Sequence, residues 1–346
     1  MLDDLSTPLV LGLLAAAGAV IFATGVRITR LADVLADRTG LGEAVAGAVL
    51  LGAVTSLSGV VVSTVSAHTG HPSLAFSNSI GGIAAQTAFL AIADLTYRKA
   101  NLEHAAAELA NIFQALVLVV LLALPLLAVT LPETTIWGVH PISFLIPALY
   151  VGSLVTGRAV RTMPMWRAVR TSDTRADAPE DESAATKRKS TIRLAASFLA
   201  LMLAMAAAGW AIAMGAAELS ARLDLSETLV GALATAVITS LPELVTTLIA
   251  IRRGALQLAV GGIIGGNTFD TLFLSAADVA YREGSLYHAI QMQDYFWVVT
   301  AILMTCVVMG GLIVREREGP GRIGVESVTL LALYGGAVVL QFALTA

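Results

Sequence analysis

The chain has a single cysteine, Cys306, among 346 residues, which excludes an internal disulfide and any metal site built on paired thiolates. Charge is also scarce. Only 13% of residues are charged, against roughly 25% in a soluble domain. Basic residues (21) do not outnumber acidic ones (25) and the net charge is −4, so no basic surface is on offer to nucleic acid. There is no phosphate-cradling glycine loop with lysine, no paired-histidine zinc signature and no serine elbow, and hence no enzyme motif. What the chain has instead is apolar bulk, with 57% hydrophobic residues and a mean hydropathy of +0.81. Length alone suggests about two domains. The composition is that of a multispanning membrane protein.

Apolar stretches near the ~20 residues needed to cross a bilayer recur along the chain. Ten are expected, near 8–26, 42–66, 73–97, 110–131, 141–160, 191–217, 227–251, 257–280, 295–314 and 323–344. They lack the alternation of barrel strands, so an all-α polytopic membrane protein of ten transmembrane helices is predicted. The first span reads as retained, because Asp3 and Asp4 precede it and Arg27 and Arg30 follow it. With the N-terminus outside, 19 of the 21 basic residues fall on the inner side and only Arg222 and Arg282 outside. The expectation is a multi-pass protein of the cell membrane with both termini outward. Residues 163–190, polar and rich in charge, Ala, Ser and Thr, are expected to form a flexible cytoplasmic linker. They separate a first five-helix half, 1–162, from a second, 191–346.

An internal repeat supports that division. Segment 42–98 aligns without a gap on 226–282 at an offset of 184, with about 20 of 57 pairs identical. Thr55-Ser56-Leu57 matches Thr239-Ser240-Leu241, Gly81-Gly82 matches Gly265-Gly266, and QTAFLAIADLTYR matches DTLFLSAADVAYR. Five spans per half is an odd number, so the second copy enters the membrane from the opposite side. Two inverted-topology repeats are the plan of secondary transporters, in which a central site is exposed alternately.

The second repeat places acids deep in the membrane. Glu243 lies ten residues before Arg253, about 15 Å along a helix and near the midplane. Asp270 lies on the returning span. A carboxylate at that depth costs at least ~2.5 kcal/mol, and two on adjacent spans repel unless a cation or a proton intervenes. Pro242 should open its helix and aim backbone oxygens beside Glu243, with Thr239 and Ser240 adding hydroxyls. Hard cations take this mixture of oxygens.

Thr-Ser-Leu-Pro-Glu at 239–243, followed by Gly-Gly-Asn-Thr-Phe-Asp at 265–270, resembles the second alpha-repeat of the calcium/cation antiporter superfamily, best known for the sodium/calcium exchangers. The resemblance implies cation coordination by Thr239, Ser240, Glu243 and Asp270 and by the carbonyl of Ala236. The first repeat departs from the family pattern. It reads Thr55-Ser56-Leu57-Ser58-Gly59, without the acid or the proline, and carries Gln86 where Asn is usual. Gly82 and Gly266 stand where the family has serines. Thr55, Ser56, Gln86 and the carbonyl of Gly52 remain as ligand positions.

Two carboxylates could balance one Ca²⁺, two Na⁺ or two protons. The expected function is a secondary antiporter that exchanges a cation, Ca²⁺ first, for Na⁺ or H⁺. A monovalent cation/proton antiporter, a transport-inactive relative serving as sensor or assembly partner, and a channel stay open. No cofactor is expected, since Ca²⁺, Na⁺ and H⁺ are cargo. The partners are membrane lipid and inorganic cations, not nucleic acid, and homo-oligomerisation is left open. His68 and His71 read as surface loop residues without acidic neighbours. Glu43 and Glu227 read as helix caps, and Asp94/Arg98 and Asp278/Arg282 as i,i+4 anchors. Trp137, Trp210 and Trp297 read as an interfacial belt.

Overall fold

The computed structural model describes residues 5–39, 52, 54–97, 99–169, 171, 174, 190–317, 319 and 323–345. The first half contributes α1 (Thr7–Thr39), α2 (Leu57–His68), α3 (Pro72–Thr96), a short α4 (Leu102–Ala105), α5 (Leu109–Thr130) and α6 (Ile142–Thr162). The second contributes α7 (Thr191–Leu223), then α8 (Glu227–Leu229), a π-helical turn (Val230–Thr235) and α9 (Ala236–Thr239) in one run. After it come α10 (Leu241–Arg253), α11 (Leu256–Asp270), α12 (Leu272–Ala280), a short α13 (Leu286–Ala289), α14 (Met292–Val314) and α15 (Val325–Thr345). Most of the linker, residues 40–51 with Glu43, and Arg98 lie outside the described residues.

Seven described helices are long and apolar enough to span a bilayer, and the bent pair Glu227–Thr239 and Leu241–Arg253, at 44°, makes an eighth. The expected spans at 42–66 and 257–280 are not among these: much of the first lies outside the described residues, and the second is interrupted. The former is described chiefly as Leu57–His68, and the latter is divided into α11 and α12. Side chains such as Leu203, Val155 and Val339 leave more than 60% of their surface bare, as a lipid-facing exterior requires.

α3 is the axis of the bundle, buried along nearly its whole length from Ser73 to Ala91. Its small residues permit this. A Cβ on Gly81 would stand 2.4 Å from the Ala232 Cα, so α3 and the π-helical turn touch backbone to backbone. α1 crosses the break in the second half with Gly25 against the Pro242 ring, since a Cβ there would meet Pro242 Cβ at 2.6 Å.

Hydrogen bonds repeat at the offset of the sequence repeat and beyond its limits. Asp94 accepts from Leu102 N (2.8 Å), Gly324 N (3.0 Å) and Ser327 Oγ (2.9 Å). Asp278 accepts from Leu286 N (2.8 Å), His140 N (2.8 Å) and Ser143 Oγ (2.7 Å). Every partner in one set lies 184 positions from its counterpart in the other. The expected Asp278–Arg282 pair does not form. Arg282 donates to the carbonyls of Val279 and Trp137, while Asp278 collects the start of α13 and the start of α6 with His140 just ahead of it. Trp297 is likewise no belt residue: it is fully buried and its Nε1 donates to Gln341 Oε1 at 3.0 Å. Trp137 and Trp210 are exposed.

His71 has the acidic neighbour that its own loop lacks. Its Nδ1 lies 2.6 Å from Glu227 Oε1 at the start of α8, and Glu227 Oε2 accepts the Leu74 N–H at 3.3 Å. Glu227 is thus a bridge between the halves as well as a first-turn acid. Its hydrogen bond raises the His71 pKa above the ordinary value, burial opposes that rise, and the Glu227 charge adds to it. A histidine raised in this way contributes stability that is fully present below its unfolded-state value, about 6.5, and lost as pH rises through its folded-state value. Thermal unfolding of the purified protein should therefore show stability falling as pH climbs above about 6.5. Glu227→Gln should flatten that part of the profile, and an unaltered slope would detach the pair from stability.

Candidate functional site

Both repeats break their helix at the serine of the Thr-Ser pair. Ser56 has φ −84°, ψ 1° and Ser240 has φ −94°, ψ 3°. Ser56 N donates to Gly52 O at 3.0 Å and Ser240 N to Ala236 O at 3.1 Å. The second repeat opens where Pro242 is expected to open it, and the first repeat makes the same break without a proline, so a proline is not required for it. In the second repeat the π-helical turn just upstream adds further slack to the backbone. The glycines of α11 do not loosen it: that helix runs unbroken to Asp270 and is interrupted only at Thr271.

The two breaks face each other and draw most of the expected positions into one buried cluster. Asp270 accepts from Ser56 Oγ at 2.5 Å on Oδ1 and from Gln86 Nε2 at 2.7 Å on Oδ2. Gln86 Nε2 also donates to Ser240 Oγ at 3.2 Å. Glu243 is hydrogen-bonded by Thr55 and lies within the electrostatic reach of Asp270. Thr55 Oγ1 also lies 3.3 Å from Gly52 O. Thr239 Oγ1 donates back into its own helix, to Thr235 O (2.9 Å) and Ala236 O (3.2 Å), which leaves only its lone pairs for a ligand. The carbonyls of Gly52 and Ala236 each accept twice, from the backbone N–H of the serine at the break and from the hydroxyl of the threonine before it, so a ligand there would compete with the threonine hydroxyl.

Acceptors outnumber donors here. Glu243 Oε2 and Gln86 Oε1 are buried and receive no hydrogen bond. Leaving such oxygens unpaired costs about 1–3 kcal/mol each, and more for a charged group. A cation removes that cost at both. Among the described residues no three of His, Cys, Asp and Glu converge as a metal cage. Any ion here depends on hydroxyl, amide and carbonyl oxygens beside the carboxylates. Gly82 and Gly266 border the cluster: a Cβ at either would lie 3.5 Å from Ser240 Oγ and from Gln86 Oε1 respectively.

The place of the missing first-repeat acid is not empty. A Cβ on Gly59 would meet the Phe273 ring at 2.6 Å, and Phe273 is 97% buried, stacked edge-on to Phe269 at 6.4 Å. Phe273 was not apparent as a site neighbour from sequence, because 214 positions separate it from Gly59. Ser79 and Asn78 were also missed. Ser79 Oγ donates to the Asp270 carbonyl (3.0 Å), and Asn78 ties Gly59 O (3.2 Å) to Thr235 Oγ1 (2.7 Å). A polar patch Ser-Asn-Ser within an otherwise apolar span was the available signal. A separate cavity of about 680 Å³, lined by Glu108, Arg161, Trp166, Arg167 and Gln257 among others, does not touch this cluster.

The sequence profile described as "Sodium/calcium exchanger protein" matches residues 9–156 and 193–343. The chain belongs to the sodium/calcium exchanger family. The inner membrane protein YrbG of Escherichia coli (strain K12) is 32% identical over 116 residues, 33% of each chain. The protein named "Putative antiporter CaxA" of Alkalimonas amylolytica is 34% identical over 89 residues, 26% of this chain and 28% of that one. The chain thus matches about a third or less of the length of these curated relatives. A solved structure of the sodium-calcium exchanger NCX_Mj, soaked with 100 mM Na⁺ and 10 mM Sr²⁺, superposes with a TM-score of 0.61 over 96% of this chain and 99% of that one, at 16% identity. Its fold is shared.

The Phe273 ring fixes what repair of the first repeat requires. Gly59→Glu alone should lower the yield of folded protein, because a rigid ring rather than a flexible chain end stands 2.6 Å from the new Cβ. Combining it with Phe273→Ala should restore monodisperse protein on size-exclusion chromatography. Equal yields for the single and double variants would show that the ring does not fill this place.

Proposed function

We propose that the protein is a cation antiporter that exchanges Ca²⁺ for Na⁺ or H⁺ by alternating access. The observation that carries the reading is the excess of acceptors around Glu243. A buried carboxylate oxygen and a buried amide oxygen lack donors, in a cluster to which both halves contribute. Glu243 is the principal charged ligand. Asp270, Thr55, Ser56, Thr239, Ser240, Gln86 and the carbonyls of Gly52 and Ala236 complete the oxygen set. Ion entry replaces the hydrogen bonds that Ser56 and Gln86 make to Asp270, and ion release restores them. The emptied site then has a compensated state in which it can reorient. Charge asymmetry orients the chain, with both termini outside and the linker on the cytoplasmic side.

The same hydrogen bonds favour a second reading. Both Asp270 oxygens are capped, and only Glu243 keeps an unpaired one, which suits a monovalent cation exchanged for a proton. Flux in proteoliposomes, scanned over Ca²⁺, Mn²⁺, Na⁺ and K⁺ against pH and Na⁺ gradients, separates the two. Glu243→Gln should abolish exchange in either case, a loss of at least about a hundredfold if the charged contact contributes about 3 kcal/mol. Undiminished flux in that variant would remove Glu243 from the mechanism. No flux of any ion in the wild type would favour a transport-inactive relative, and flux without counter-transport a channel.

A further inference from the structure

A second set of unpaired buried oxygens lies away from the Glu243 cluster, where the connector after α3 meets the end of α14 and the start of α15. Glu103, on α4, is fully buried, and beyond its own backbone N–H its carboxylate meets only the Glu326 carboxyl, with no hydroxyl, amide or cationic side chain among the described residues donating to it. Asn101 Nδ2 donates to Glu326 Oε1, while Asn101 Oδ1 is unpaired. Glu103 and Glu326 meet over Gly311, where a Cβ would lie 2.8 Å from Glu326 Cγ and 3.3 Å from Glu103 Cγ.

The mirror-related place shows what is unusual. The partner of Glu103 at the offset of 184 is Tyr287, a neutral group whose hydroxyl pairs with Ser143 Oγ at 2.9 Å. In the first half a carboxylate replaces the phenol, and the side chain that meets it is a second carboxyl, Glu326. Other charged groups nearby do not relieve it. Asp94 adds a third carboxylate, already saturated by Leu102 N, Gly324 N and Ser327 Oγ. Arg315 gives its terminal nitrogens to the carbonyls of Val169 and His104 and to Thr174 Oγ1. His104 turns both ring nitrogens elsewhere, to Arg315 O (2.7 Å) and Thr171 Oγ1 (3.0 Å). Glu316 faces Val325 N at 3.4 Å, and Arg317 meets Asn101 N through its carbonyl at 3.1 Å.

We propose that Glu103, Glu326 and Asn101 form a second cation site, separate from the Glu243 cluster, that holds one hard cation, a proton or a metal ion, between its two carboxylates. Two carboxylates in contact and out of water cannot both stay ionised without one. Burial, with the charges of Asp94 and Glu326, holds the Glu103 carboxyl well above the usual carboxylate range. The occupant neutralises the joint through which α4 and the ends of α14 and α15 pack.

The test follows the apparent Tm of the full-length protein in detergent from acidic to alkaline pH, with and without Ca²⁺, in a Glu243→Gln background that disables the central cluster. A carboxyl raised in the folded state favours folding at low pH, and that contribution is lost as pH rises through its folded-state value. The Tm should therefore fall with rising pH, and Glu103→Gln should shallow the fall and raise the Tm at the alkaline end. If Ca²⁺ restores the alkaline Tm only where Glu103 is present, the occupant is a divalent ion; if Ca²⁺ has no effect, it is a proton. Identical pH and Ca²⁺ responses with and without Glu103 would overturn the proposal. Glu103→Tyr, which borrows the residue of the other half, and Glu326→Gln repeat the comparison should Glu103→Gln fold poorly.

Discussion

Asp270 belongs to the second half of the chain, and both of its oxygens are held by the first. Ser56 and Gln86 supply those hydrogen bonds, and Ser79 secures the backbone carbonyl of the same residue. The contact is buried, so each bond made here spares the full cost of an unpaired group in a dry interior. It also decides where the two helix breaks stand. Ser56 can reach Asp270 only because its helix stops there, and Ser240 can accept from Gln86 for the same reason. The backbone contact of α3 with the π-helical turn, made possible by Gly81, holds the second break beside the first.

The two-fold logic reaches further than this cluster. Asp94 and Asp278 each gather a connector helix and the start of a later span, through donors that correspond residue by residue. Each aspartate does locally what a loop cannot do alone, fixing the start of a distant helix by satisfying N–H groups that have no partner within that helix. The lateral bracing of each half is therefore polar and directional, while its outward faces are merely apolar. That is the division of labour expected where lipid offers no hydrophobic drive for helices to associate.

Much of this was legible in the chain itself. The offset of 184, the helical class, the shared family and the convergence of Glu243, Asp270, Thr55, Ser56, Ser240 and Gln86 follow from motif and periodicity. The rest was hidden for identifiable reasons. Pro242 marked the break in the second repeat, but the matching break at Ser56 carries no proline and so had no such mark in the sequence. His71 looked unaccompanied because its acid lies 156 positions away. The mirror of Glu103 was nearer to hand. Asn101-Leu102-Glu103-His104-Ala105 and Ser285-Leu286-Tyr287-His288-Ala289 share three residues at the same offset, beyond the point where the repeat was judged to end.

The departures from symmetry carry the most information, since everything shared by the halves is explained by the fold. Gly59 opposite Glu243 removes a charge from the centre, and the buried Phe273 ring from the other half stands where the side chain would begin. On the proposed function, an ion at the centre would meet carboxylates from the second half only, with the Phe273 ring on the side of the missing acid. A ring in that place raises the cost of a further charge steeply, because an ion in a low-dielectric surrounding needs ligands on every side. The capacity of the centre is thus limited by an aromatic ring as much as by the loss of one carboxylate, and regaining the acid without removing the ring would not regain the capacity.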